Sequence, residues 1–194
     1  MNIGSSELKV LIFLYISKGY VSRKTLSQEL GLGEGVVRRI LEFLKNRGIV
    51  NTIRSGNYLT ELGKTFLENY LASYKITALK NFRLEDYEDY RFALAAHGRE
   101  LVLEKNVVEI RDCSVKSGSD GALIIVVENN RLLLPPGNEK LNDYLPRTSE
   151  KILQMFDLKN GDIVFVSFSR NGFGACVRGI VGILDCIREL NPFF

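Results

Sequence analysis

Between Gly33 and Gly48 the sequence GEGVVRRILEFLKNRG places Val37, Ile40, Leu41 and Leu44 at i, i+3, i+4 and i+7. That spacing lays one apolar stripe along a helix, and Val36 and Phe43 widen it. The opposite side carries Glu34, Gly35, Arg38, Arg39, Glu42 and Lys45. A short helix with one buried and one basic face suits an element that packs inward and reads DNA outward. Taken alone, the pattern describes an ordinary amphipathic helix with solvated arginines equally well. Its neighbours decide.

Upstream, Ser5 or Ser6 can cap a first helix whose Leu8, Val10, Leu11, Ile12, Phe13, Leu14 and Ile16 are apolar on most sides, as a central helix must be. Ser22 caps a second helix, with Val21 and Leu26 spaced as a hydrophobic staple, and Gly31 stops it. Helix, tight turn at Leu32-Gly33, amphipathic helix is the helix-turn-helix plan. Gly48 ends the third helix. Ile49–Ile53, the turn Arg54-Ser55-Gly56-Asn57 and Tyr58-Leu59 then read as a hairpin, positioned as a wing. Thr60 caps a fourth helix with Leu62, Phe66, Tyr70, Leu67 and Leu71 on its apolar face.

The run VVRRILEFLKNRGIV, followed by YLTELGKTFL with its Leu-Thr-x-x-Gly pattern, resembles the winged helix-turn-helix domains of prokaryotic transcriptional regulators, the MarR-like group in particular. The resemblance covers about residues 5–72. Gly33 and Gly35 depart from it, because such families more often carry Ser or Thr at the helix start. It implies that the recognition helix enters the major groove. Gly35, Arg38, Arg39, Glu42 and Lys45 would lie on that helix. Arg23 and Lys24 would hold phosphates, and Arg54, Ser55 and Asn57 would sit at the wing tip.

Residues 74–88 lack periodicity and are expected to be a linker or extended connector between a domain at 1–73 and one at 89–194. Asp89–Ala96 reads as a strand. For 98–116, Glu, Lys and Leu favour helix while Val-Val-Glu-Ile favours strand, and the larger part is assigned to helix. ALIIVVE and RLLL flank Asn129-Asn130, a pair that tolerates the left-handed backbone of a tight hairpin. Thr148 or Ser149 can cap a helix, Ile163–Phe168 is a buried strand, and a last helix runs from about Gly172 to Leu190. Along it Ala175, Gly179, Gly182 and Cys186 form a stripe of small residues. Interior glycines cost roughly 1 kcal/mol each against alanine, so a close approach is expected there. The order β-α-β-β-α-β-α suits a ferredoxin-like split βαβ arrangement. IRDCSVKSGSDGALIIV, LLLPPG and LKNGDIVFVSF resemble an uncharacterised domain found behind winged helices in archaeal proteins, the DUF4443 group. The expected class is α+β: a winged helix-turn-helix followed by a ferredoxin-like-type α/β sandwich.

Charge supports the division. Residues 1–73 hold ten Lys/Arg against six Asp/Glu, and residues 74–194 hold sixteen against seventeen. The longest apolar run is about seven residues, against the roughly 20 of a membrane span, and no signal-peptide pattern opens the chain. A cytoplasmic protein with no membrane partner is expected. Cys113, Cys176 and Cys186 form no CxxC pair and read as reduced thiols. The single histidine, His97, has no Cys/His cluster around it and reads as a turn residue beside Gly98. No metal, cofactor or catalytic residue is assigned, and the chain is not read as an enzyme. Arg111-Asp112 is either a structural ion pair or part of an effector pocket. Arg170, Asn171 and Gly172 follow a buried strand, where ligand sites form in α/β folds. The acidic run Glu85–Asp89 reads as solvated. The expected partners are double-stranded DNA, a second copy of the chain and a small-molecule effector. The alternatives are a winged-helix protein-interaction module or an enzyme in the C-terminal domain.

Overall fold

The computed structural model describes residues 3–103 and 106–188, and the chain divides into two compact units, Met1–Leu71 and Ala72–Phe194.

In the first unit, α1 (Ser5–Ser17) buries Leu8, Val10, Leu11, Ile12, Phe13, Leu14 and Ile16. Its cap is Gly4 rather than Ser5 or Ser6, and the Gly4 N–H donates to the Glu7 carboxylate at 3.1 Å. In α2 (Arg23–Leu30) the Ser22 hydroxyl accepts from the Thr25 N–H at 3.0 Å, and Gly31 ends the helix with φ 63°. Helix α3 (Glu34–Lys45) buries Val37, Ile40, Leu41 and Leu44, the expected stripe. Strands β1 (Val50–Ile53) and β2 (Gly56–Leu59) form an antiparallel hairpin, and α4 (Glu61–Ser73) follows. Thr60 caps α4 through the Gly63 N–H at 3.0 Å, and its hydroxyl also donates to the Gly48 carbonyl at 2.6 Å. A Cβ at Gly63 would collide with the Ile49 carbonyl. The Leu-Thr-x-x-Gly pattern is therefore a packing requirement, because α4 starts directly against the chain entering β1. Leu67 and Leu71 are buried as expected, together with Gly63, whereas Leu62, expected on the same face, stands exposed.

The second unit is built on a six-stranded, wholly antiparallel sheet. Its strands are β3 (Ile76–Phe82), β4 (Phe92–Gly98), β5 (Gly121–Glu128), β6 (Arg131–Leu134), β7 (Glu139–Lys140) and β8 (Ile163–Ser169). Their spatial order is β3-β4-β8-β5-β6-β7. Helix α5 (Val107–Lys116) connects β4 to β5, and α6 (Leu141–Tyr144) and α7 (Pro146–Met155) lead to β8. Strand β8 lies between β4 and β5, and β5 lies between β6 and β8, so both βαβ units are split by an inserted strand. Asn129 and Asn130 both take positive φ in the β5–β6 turn. The stretch 74–88, expected as a connector, supplies β3 to this sheet.

Alternation along the strands sorts side chains onto two faces. Ala93, Ala95, Ile125, Val127, Val164 and Val166 pack with Leu141, Leu145, Ile152 and Phe156 from the α6–α7 side. On the other face α8 (Phe173–Arg188) crosses β8 and α5. A Cβ at Gly179 would collide with the Ser167 and Ser114 hydroxyls, and one at Gly182 with Ser117 and the Cys113 carbonyl. This is the close approach expected from the small-residue stripe. It also joins Cys113 to Cys186 in a disulfide, Cα–Cα 6.3 Å. The reading of all three cysteines as thiols is corrected for this pair. Cys176 is buried and its thiol donates to the Phe92 carbonyl at 3.4 Å.

Candidate nucleic-acid interface

A groove in the first unit is lined by the start of α2 (Ser22, Arg23, Lys24), by Glu34, Arg38, Leu41, Glu42 and Lys45 of α3, and by Thr52, Arg54, Ser55, Gly56 and Asn57 of the hairpin. Local rules position each group. The Ser22 cap fixes the first turn of α2, so Arg23 and Lys24 project beside free helix N–H groups. Residues 38, 42 and 45 share the α3 face opposite the buried stripe. The hairpin is held by an isolated bridge in which Val21 and Asn57 exchange main-chain hydrogen bonds at 2.9 and 2.8 Å. Gly56 sits at φ 138°, and a Cβ there would meet the Val21 backbone at 2.8 Å. Only glycine lets the hairpin approach this closely.

Five cations from three elements thus face one groove, against two carboxylates. Glu42 pairs with Arg38 at 3.1 Å and Glu34 with Arg23 at 3.8 Å. All four side chains are exposed. Such surface pairs are worth about 0–1 kcal/mol and yield readily to a better anion. The surface therefore suits an extended polyanion.

The sequence expectations divide as follows. Arg23, Lys24, Arg38, Glu42, Lys45, Arg54, Ser55 and Asn57 all line the groove. Arg39 does not. It lies about 100° from Arg38 around the helix and lines a separate hollow with Gly4, Ser5, Ser6, Glu7, Val36, Ile40 and Phe43. Gly35 is exposed on the first turn of α3, outside the lining. Asn57, expected as a wing-tip contact, is buried; its amide donates to the Val21 carbonyl at 2.9 Å and its carbonyl accepts from the Thr52 hydroxyl at 2.9 Å. It holds the hairpin in place. Thr52, Gly56, Ser22, Leu41 and Glu34 also line the groove, beyond the residues expected to contact DNA. Ser22 carried a capping signal, whereas Glu34 reaches Arg23 across a turn with no periodic signature.

In the second unit Arg111 and Asp112 are both exposed on α5, and among the described residues no ion pair joins them. Arg170 is held elsewhere. Its N–H donates to Asp120 at 2.7 Å, and its guanidinium donates to the Tyr90 hydroxyl at 2.8 Å and lies over that ring at 4.6 Å. The hydrogen bond to Tyr90 raises the pKa of Arg170. Asn171 is exposed and Gly172 is buried at φ 133°. Among the described residues no hydrogen bond or ion pair joins Arg111 or Asp112 to this trio.

Two further expectations are corrected. His97 is no turn residue: it lies in β4, 4% exposed, with Nε2 2.8 Å from Asp162 and Nδ1 2.9 Å from the Thr77 hydroxyl. Asp162 also accepts from the Lys159 N–H at 2.9 Å and from Arg99 at 3.4 Å. Burial alone would raise the Asp162 carboxyl, but these donors outweigh it and hold its pKa below the usual value. Asp86, from the run read as solvated, accepts the Arg147 and Thr148 N–H groups at 3.1 and 2.7 Å. It serves as the cap of α7 that Thr148 or Ser149 was expected to provide. Among the described residues no group of three or more His, Cys, Asp or Glu is placed to hold a metal ion, and no helix is long and apolar enough to cross a membrane.

A family model described as the CggR N-terminal DNA binding domain matches residues 8–73, so the first unit is similar to a DNA-binding domain. A second, described as a domain of unknown function (DUF4443), matches residues 87–184. No curated protein matches the chain. Among solved structures, the hypothetical protein PH0730 from Pyrococcus horikoshii OT3 superposes with a TM-score of 0.74 at 23% identity, over 98% of this chain and 95% of that one. At that identity the likeness concerns the fold.

Proposed function

This chain belongs to the family of the domain of unknown function DUF4443, and we propose that it is a DNA-binding transcriptional regulator whose first unit is a MarR-like winged helix. Helix α3 enters the major groove with Arg38 and Lys45 toward bases and phosphates. Arg23 and Lys24 hold the backbone at the start of α2, and Arg54 and Ser55 reach the adjacent groove from the wing. The second unit pairs two copies and senses a small molecule, and the protein works in the cytoplasm without catalysing a reaction. The observation that carries this reading is the convergence of Arg23, Lys24, Arg38, Lys45 and Arg54 on one groove, in a domain similar to a known DNA-binding type.

The experiment is a titration of duplex genomic fragments across salt concentrations. Affinity should fall steeply with salt, and Arg38→Ala with Arg54→Ala should weaken binding about tenfold or more and flatten the salt slope by about two contacts. Arg39→Ala, outside the groove, should change affinity less than about threefold. Salt-independent or undetectable binding would remove the DNA reading. It would favour the protein-interaction module, for which the pairing of Glu42 and Glu34 with two of the five cations is the supporting observation.

A further inference from the structure

Helix α5 buries Ile110 and Ser114 against the rest of the second unit and turns Val108, Arg111, Asp112 and Val115 to solvent. Val108 and Val115 are each 47% exposed. They stand seven residues apart, so two turns carry them onto almost one line, about 10 Å from each other along the axis. Arg111 and Asp112 flank that line, each about 50° to one side of it. Among the described residues neither charge has an ion-pair partner.

This face is complementary to itself in one orientation. When two copies of the helix pack side by side and parallel, related by a twofold along their axes, the left flank of one meets the right flank of the other. Val108 then meets the partner's Val108, and Val115 meets the partner's Val115. Between these two layers Arg111 lies across from the partner's Asp112, and Asp112 from the partner's Arg111. An antiparallel pairing centred on the same residues sets Arg111 beside the partner's Arg111 and Asp112 beside the partner's Asp112, which is repulsive. Opposite charges flanking the contact line of paired helices are what sets their partner and orientation. We infer that the α5 face Val108–Arg111–Asp112–Val115 is an interface between two copies of this chain, formed by parallel α5 helices.

The inference gives the expected second copy a defined surface. It does not depend on DNA binding, because it is tested without DNA. Sedimentation of the full chain from about 1 to 100 µM should show a reversible dimer. Arg111→Asp and Asp112→Arg should each weaken it about tenfold or more, since each puts like charges face to face. The exchange Arg111→Asp with Asp112→Arg should restore it to within about threefold of wild type. Both substitutions are on exposed positions, and circular dichroism checks that each variant is folded. Separately, Val115→Cys should be joined to its own copy by a short bis-maleimide, which only the parallel pairing allows. A wild-type chain that stays monomeric at 100 µM overturns the inference, as does dimerisation indifferent to the single charge reversals. Failure of Val115→Cys to cross-link overturns the parallel geometry. Intact DNA binding in any of these cases leaves the DNA-binding part of the proposed function standing.

Discussion

Arg38 and Glu42 form an ion pair with side chains 66% and 61% exposed; His97 and Asp162 are hydrogen-bonded to each other at 5% and 3%. The contrast extends through the two units. In the first, charged groups stand in solvent along one groove, spaced by the pitch of α3 and a hairpin turn. In the second, polar groups are buried and satisfy each other: His97 with Asp162 and Thr77, Ser114 with Ser119 at 2.9 Å. An exposed pair can be exchanged for an incoming anion at little cost. A buried pair cannot, because removing either partner strands the other away from water. The first surface is built for exchange, the second interior for a fixed arrangement.

Four perturbations test how far the two units differ. The largest effect should come from the disulfide. Reduction, or Cys186→Ser, removes a cross-link between residues 73 apart and should destabilise the second unit by about 4 kcal/mol. Hydrogen exchange should show the loss in α5 and α8 and leave α1–α4 protected. Equal loosening of α1–α4 would show that the two units are not energetically separate. Next, Gly179→Val drives a side chain into the Ser167 and Ser114 hydroxyls and should cost about 3 kcal/mol in urea unfolding.

Asp162→Asn follows, at about 2 kcal/mol near neutral pH, because it weakens a buried hydrogen-bonded charge. Its pH dependence has a definite sign. The folded carboxyl titrates below its unfolded value, so its stabilisation is complete above about pH 4 and is lost as pH falls through the folded pKa. The wild-type protein should therefore lose stability in acid over a range where Asp162→Asn is flatter. Smallest is Gly35→Ala in the first unit. Nothing lies within 4 Å of a Cβ at that site, so the substitution should stabilise α3 by about 0.5–1 kcal/mol. A loss there would mean that the exposed helix face is packed more tightly than its surroundings indicate.

The same contrast explains what the sequence revealed. Residues 38, 42 and 45 were legible because helical pitch alone puts them on one face, and Ser22 because a cap is a local signal. Arg39 shares the exposed side of α3 with Arg38, but the two point about 100° apart, and periodicity does not tell which part of that side the groove takes. Asn57 looked like an exposed turn residue, but its partner is Val21, 36 positions earlier. Strand β3 was obscured because Ile76, Leu79 and Phe82 are buried at intervals of three instead of two: a bulge shifts the register between Ile76 and Ala78, and Leu79 and Phe82 are buried on opposite faces of the sheet. The histidine pair and the disulfide join residues 65 and 73 apart, distances over which no periodicity speaks. Local chemistry was readable, and long-range pairing was not.

The bridge between Val21 and Asn57 has one more consequence. Both main-chain bonds must break before the hairpin can swing away from the start of α2. The opening between Arg23 and Arg54 is therefore set by backbone and acts as a fixed gauge. Lengthening the turn at Arg54-Ser55 should extend the reach of the tip while leaving that gauge unchanged.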